Sequence, residues 1–265
     1  MPPVNYSRYH NSPSTLPSAT LPNTLKLLTE RLPRIGWRLL NGHPEVWRHL
    51  RFEFYNRPLL FRLLHFQRQH QVPGLVTVIT PTCGRLQTLN ATIASVDAQS
   101  YTKWEHLIVS DGHFPALQQL KASNSEPRRR YFSTPAIRHF GNHQRNVGIF
   151  HARGEYLVFL DDDNVLYPEA LATMLSGFSS DDVDLVFCPI DFDHPRHGLY
   201  GEVRMPHDGF KLGDVDSLNA MIRRSLAVKC RGWGDSYFAD FDFLHLAASR
   251  TSARYLSSPP IGHHR

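Results

Sequence analysis

At 265 residues with 41% hydrophobic side chains, the chain can bury one good core with an appendage. Its three widely spaced cysteines, Cys83, Cys188 and Cys230, exclude a disulfide framework or a CxxC pair and point to a reducing compartment. The net charge of +5 divides unevenly: ten Lys/Arg against three Glu in residues 1–72, then nineteen against twenty-one acidic residues, a split that argues against a uniformly basic nucleic-acid binder.

In chain order, residues 1–22 are rich in Pro, Ser, Thr and Asn and read as a disordered tail. They lack the apolar centre of a secretory signal, and no later apolar run reaches the ~18 residues of a spanning helix, so the expected product is soluble and cytoplasmic. Residues 23–72 read as a basic amphipathic helical extension, interrupted at Pro33, Gly36, Gly42-His43-Pro44 and Pro58. Two readings of it stand open. Its Trp and Leu side chains pack on the following domain or form a homodimer contact, or Trp37, Trp47 and "PLLFRLLHF" sit peripherally at the inner face of an anionic membrane.

From residue 73 the texture changes. Strands are predicted at 75–80, 104–110, 129–133, 155–160 and 184–190, with helices at 86–99, near 115–122, around 142–152 and at 168–176. This alternation predicts an α/β fold, a mostly parallel sheet flanked by helices. Ligands then collect at the carboxyl ends of the strands, and those ends read Thr80-Pro81-Thr82, Ser110-Asp111-Gly112 and Asp161-Asp162-Asp163. Neither GxxxxGK nor GxGxxG occurs, which excludes a P-loop and a dinucleotide fingerprint.

Three adjacent carboxylates repel one another unless a cation sits among them. Strand alternation sends Asp161 and Asp163 to one side and Asp162 to the other, and paired carboxylates suit Mn²⁺ or Mg²⁺. An acidic turn capping the helix after Pro168 is the plainer alternative. Arg145 and Asn146, at the head of a helix, read either as a solvated first turn or as a phosphate contact.

The strings Thr80-Pro81-Thr82…Arg85, "LIVSDGH", "QRNVGIFHARGEYLVFLDDDNVLYPEAL" and "GWGDSYFADFDFLHLAA" together resemble the family 2 glycosyltransferases of the GT-A fold, over residues 73–265. The resemblance implies a Rossmann-like nucleotide-binding half and an acceptor-side half. It implies a nucleotide pocket at Thr80, Pro81, Thr82, Arg85, Asp111, Arg145, Asn146, Asp161 and Asp162. It also implies a divalent ion (Mn²⁺ or Mg²⁺) at Asp161 and Asp163, with His263 of "PPIGHHR" nearby unless that end is a frayed tail. Asp240 falls on the family's catalytic base, with Asp242 as its rival. If 240–249 is a helix, the two point about 200° apart, so only one faces the cleft.

Gly232-Trp233-Gly234 then looks like an acceptor-side loop, with Trp233 either stacking on a sugar or packing in the core. The expected reaction is metal-dependent, inverting transfer of a single sugar from a UDP-sugar to a sugar, lipid-linked or small-molecule acceptor. A nucleotidyltransferase and a non-catalytic nucleotide-sugar-binding domain are the competing readings. The sequence departs from the family pattern at Cys83-Gly84, Ser110 and Ala239.

Overall fold

The computed structural model describes residues 44–66, 71–138, 140–194 and 199–265. The expected tail at 1–22 and the extension up to residue 43 lie outside the described residues. The chain divides into two compact units, Met1–Trp47 and Arg48–Arg265, and the second carries every strand of both sheets.

A long helix, α1 (Pro44–Phe66), leads into strand β1 (Val72–Thr82). Then come α2 (Leu86–Asp97), β2 (Trp104–Asp111), α3 (Pro115–Ser123), β3 (Arg129–Thr134), α4 (Asn142–His151) and β4 (Gly154–Phe159). Past the acidic turn lie β5 (Val165–Leu166), α5 (Ala170–Ser176), β6 (Leu185–Phe187), β7 (Ile190–His194) and β8 (Leu199–Arg204). The chain closes with β9 (Ala220–Arg223), α6 (Arg224–Lys229), α7 (Ala239–Ala248), β10 (Ala253–Tyr255) and β11 (Gly262–His264).

Seven strands form the main sheet in the order β10-β6-β9-β4-β1-β2-β3. Only β9 runs against its neighbours, β4 and β6. From β1 the chain moves outward through β2 to β3, then returns to β4 on the other side of β1. That reversal opens a crevice above β1 at the strands' carboxyl ends. Alternation along the strands feeds two cores. Ile79, Leu157 and Phe159 pack with Ile149, Trp233 and Phe243, while Val76, Val78, Val158 and Leu160 pack with Val96, Leu171 and Met174. The predicted strand 184–190 is in fact two, because β7 leaves the main sheet for a second one, ordered β5-β11-β7-β8.

Two features hold the site-bearing elements in place. Helix α4 lies so close to β1 that a β-carbon on Gly148 would stand 2.4 Å from Ile79 Cγ2. Gly148→Ala should therefore cost roughly 1–3 kcal/mol through overpacking, read as a lower urea midpoint. Helix α1 runs unbroken through Pro58, an expected interruption. Pro58 is solvent-exposed, so water can satisfy the carbonyl its missing N–H leaves free. The opposite face is anchored by Phe52 and Asn56, 2% and 1% exposed.

Candidate active site

The cations that hold the three carboxylates come from two different elements. Arg85, just after β1, pairs with Asp162 and with Asp163 Oδ2 at 2.7 Å. Arg145, on the first turn of α4, donates from Nη2 to Asp161 Oδ1 at 2.5 Å. Asp162 is consumed internally: it is 1% exposed, takes Arg85 on Oδ1 and accepts from the Thr82 hydroxyl on Oδ2 at 2.6 Å. It anchors the turn, with both oxygens engaged by these partners, and it also lines the cleft. Asp161 and Asp163 remain partly open.

A cleft of about 740 Å³ runs from Thr82 and Arg85, past Asp111 and Arg138, to Arg145 and Asp161. Pro81 and Thr82 line it, but Thr80 does not. Two residues deeper in β1, Thr80 is fully buried and shares a 2.9 Å hydrogen bond with His106 Nε2. Since Arg129 Nε donates to His106 Nδ1 at 3.2 Å, the ring's proton sits on Nε2 and the Thr80 hydroxyl accepts it. Asp111, at the end of β2, shapes the far wall. Its carboxylate accepts from the Ile137 and Arg138 backbone N–H groups at 2.6 and 2.7 Å and from Gln144 Nε2 at 3.0 Å. These bonds hold a segment in which Arg138 and Phe140 adopt φ of 57° and 51°, a left-handed backbone that side chains enter at a cost.

Arg145 also donates to the Phe140 carbonyl at 2.8 Å and to Asn142 Oδ1 at 3.2 Å. Its guanidinium lies 4.6 Å from the centroid of the Trp233 ring. The open question about Trp233 resolves as packing. The ring is 1% exposed, stacks on Phe243 and meets Phe159 edge-on, so it offers no face to a sugar. Asn146 is likewise no nucleotide contact: its side-chain amide is spent on Trp233 N, Trp233 O and Asn56 Oδ1. Gly234 holds its carbonyl on Asn142 Nδ2 at 3.1 Å.

Asp240, on the first turn of α7, lies with Arg145, Asp216, Asp161 and Arg204. Its carboxyl is raised to about 7 in all: burial is the largest cause, Arg145 opposes it, Asp216 and Asp161 add to it, and Arg204 pulls down. Asp242 is exposed and faces a separate hollow of about 290 Å³ that Phe52 and Trp233 also line. The helical phase thus parts the two carboxylates, and only Asp240 joins Arg145 and Asp161.

On the final strand the two histidines face different partners. His263 Nε2 pairs with Asp193 Oδ2 at 2.8 Å on the second sheet. His264 points to the other side of β11, stacks on Phe192, and brings Nε2 to 3.6 Å from Asp216 Oδ2. Sequence reasoning missed Asp216 and Arg204. The signal for Asp216 was present: Asp216-Ser-Leu-Asn219 is a capping box, with Asp216 accepting from Leu218 N at 2.9 Å and Asn219 Oδ1 accepting from Asp216 N. Arg204, which lies over the Phe192 ring, had no such signature.

Among the described residues, no group of three or more His, Cys, Asp and Glu side chains converges as a ready-made metal cage. The chemistry of the carboxylates nevertheless fits a hard cation that takes its other ligands from a substrate. Burial lifts the Asp163 carboxyl, Arg85 pulls it down, and Asp161 and Asp162 push it up again. A negative charge left under-compensated in this way would be relieved by a divalent ion.

The model for the family described as Glycosyl transferase family 2 matches residues 77–237. A GalNAc(5)-diNAcBac-PP-undecaprenol beta-1,3-glucosyltransferase of Campylobacter jejuni is 32% identical over 103 residues, which is 38% of this chain and 33% of that protein. The solved structure of TarS 1–349 from S. aureus with UDP superposes with a TM-score of 0.60 at 16% identity, covering 71% of this chain and 60% of TarS. A mannosyltransferase from Pyrobaculum calidifontis, solved with GDP-Man and Mn²⁺, gives 0.52 at 17% identity, covering 83% of this chain and 67% of its own. The stretches matched span well under two thirds of the curated relatives' own length.

Proposed function

The chain belongs to glycosyl transferase family 2, and from that premise we propose that it moves one sugar from a nucleotide-diphosphate sugar, a UDP-sugar, to an acceptor hydroxyl with inversion at the anomeric carbon. The observation that carries this reading is the electrostatic coupling of Asp240 to Arg145 and Asp161, two residues that line the 740 Å³ cleft. A carboxyl pushed up to about 7 is a good proton acceptor near neutral pH.

In this reading the base and ribose lie along Asp111 and the Arg138 segment, and the diphosphate lies toward Arg85 and Arg145. Mn²⁺ or Mg²⁺, when bound through Asp163 and Asp161, would neutralise the charge growing on the leaving diphosphate. Asp240 takes the proton of the attacking hydroxyl, and the attack comes from the face of the sugar opposite the diphosphate. Arg145 keeps Asp240 ionisable by offsetting Asp216 and Asp161. The mannosyltransferase solved with Mn²⁺ supports the choice of ion.

A thermal-shift screen of nucleotide sugars with and without Mn²⁺ tests this directly, because a ligand that binds only the native state raises the melting temperature. The expected result is a rise with a UDP-sugar that needs the metal and disappears in Asp163→Ala, whose fold is intact. An Asp163→Ala protein with unchanged donor affinity and metal dependence would show that the metal assignment is wrong.

The acceptor is proposed to be lipid-linked, as the name of the Campylobacter relative indicates for that protein. No helix among the described residues is long and apolar enough to cross a membrane. Helix α1 instead turns Phe54 and Phe61, 72% and 61% exposed, to one outer face, beside the exposed Arg51 and Arg57. An aromatic and basic stripe of this kind suits an anionic lipid surface. Sedimentation with phosphatidylglycerol vesicles should be lost in Phe54→Ser/Phe61→Ser while donor binding stays unchanged.

A further inference from the structure

We propose that Asn56, on helix α1, is a positioning residue that sets Arg145 from behind and so makes the N-terminal helix part of the active site. Its functional readout rests on the donor-binding reading above.

Asn56 is 1% exposed. Its carbonyl oxygen accepts from Asn146 Nδ2 at 3.0 Å and faces His143 Nδ1, also at 3.0 Å, while its Nδ2 donates to the Phe52 carbonyl at 2.9 Å. An amide oxygen only accepts, so His143 carries its proton on Nδ1. Burial holds that ring neutral, down to about 4 against the pull of Asp111. One oxygen thus pins residues 143 and 146 of α4, with Arg145 between them.

The contact continues through Asn146. Its side chain clasps Trp233 at both ends of the peptide, donating to Trp233 O at 2.9 Å and accepting from Trp233 N at 2.8 Å. Gly232 makes room for this: its φ is +64°, and a β-carbon there would stand 2.3 Å from Asn146 Oδ1. The turn so fixed places the Trp233 ring under the Arg145 guanidinium, and Arg145 reaches Asp161. A residue needed only to fill space would be apolar. A buried amide is costly unless its hydrogen bonds are made, and here its oxygen is spent on the two residues flanking Arg145.

Two variants separate positioning from mere docking of α1. Asn56→Leu removes the oxygen and keeps the bulk, whereas Phe52→Ala weakens the same helix's packing and leaves the amide chain intact. On the full-length chain, Asn56→Leu is expected to speed exchange of the Trp233 amide and to weaken UDP binding measured with Mn²⁺, each by up to roughly tenfold, the loss of about one hydrogen bond. Phe52→Ala is expected to lower the melting temperature with Trp233 exchange and UDP affinity near wild type.

Wild-type Trp233 exchange in Asn56→Leu, or equal losses in the two variants, would overturn the inference. If the wild-type chain does not bind UDP at all, the donor reading fails and the Trp233 exchange alone decides the role of Asn56. Should Asn56→Leu not fold, Asn56→Ala also removes the accepting oxygen and should likewise speed Trp233 exchange. Wild-type Trp233 exchange in Asn56→Ala would equally overturn the inference.

Discussion

Replacing Asp240 with asparagine should leave the nucleotide sugar bound and cut sugar transfer by roughly two to four orders of magnitude. Asparagine keeps the size and the hydrogen-bonding shape but cannot take the acceptor's proton. The donor contacts proposed at Thr82, Arg85, Asp111 and Arg145 line the cleft, which Asp240 does not. Asp242→Asn should lose far less, since Asp242 faces the other hollow. An assay for released nucleotide diphosphate makes the comparison, and a dead Asp242→Asn beside an active Asp240→Asn would reassign the base.

The pH profile supplies a second readout of the same group. A base works when deprotonated, so with the Asp240 carboxyl pushed up to about 7, kcat/KM of the free enzyme should climb as pH rises through that value. A bound divalent ion would move the limb lower by offsetting Asp161, and Asp240→Asn should lose the limb altogether.

A chain that begins at residue 71 should fail to fold into soluble protein, whereas one that begins at residue 44 should stay soluble and bind donor. The short version strips Phe52 and Asn56 from their places. Without the helix, the apolar surface that Phe52 covers is exposed, and His143 and Asn146 lose their Asn56 partner; newly exposed apolar surface favours aggregation. Circular dichroism and size-exclusion chromatography of the two fragments check it, and a folded, active fragment from residue 71 would show that α1 is dispensable.

What was legible in the sequence was mostly set by local periodicity. The alternating strands and helices, the carboxylates at strand ends, and the parting of Asp240 from Asp242 all follow from repeats of about two and 3.6 residues. What was not legible depends on depth and on distant partners. Thr80 and Thr82 share a strand face and are both buried, and only packing against His106 tells which one fails to reach the cleft. Asn146 looked like a phosphate contact beside Arg145, but its partners Asn56 and Trp233 are 90 and 87 residues away in sequence. His263 and His264 differ by one step on a three-residue strand, where register alone chooses the side. Pro58 suggested a break because the buried face that carries α1 across it is visible only in the folded chain.

The antiparallel strand in the main sheet bears on how the chain is made. Strands β1 to β4 can pair in the order they leave the ribosome, but the far edge of β4 waits for β9, about 60 residues later. At synthesis rates of about 5–20 residues per second, the apolar edge Tyr156-Leu157-Val158-Phe159 stands unpaired for roughly 3–12 s. An open hydrophobic edge of that kind invites pairing with another nascent chain. Overproduction should therefore drive this protein into inclusion bodies through β4, and slower synthesis at low temperature, or a holdase that covers extended apolar segments, should raise the soluble yield.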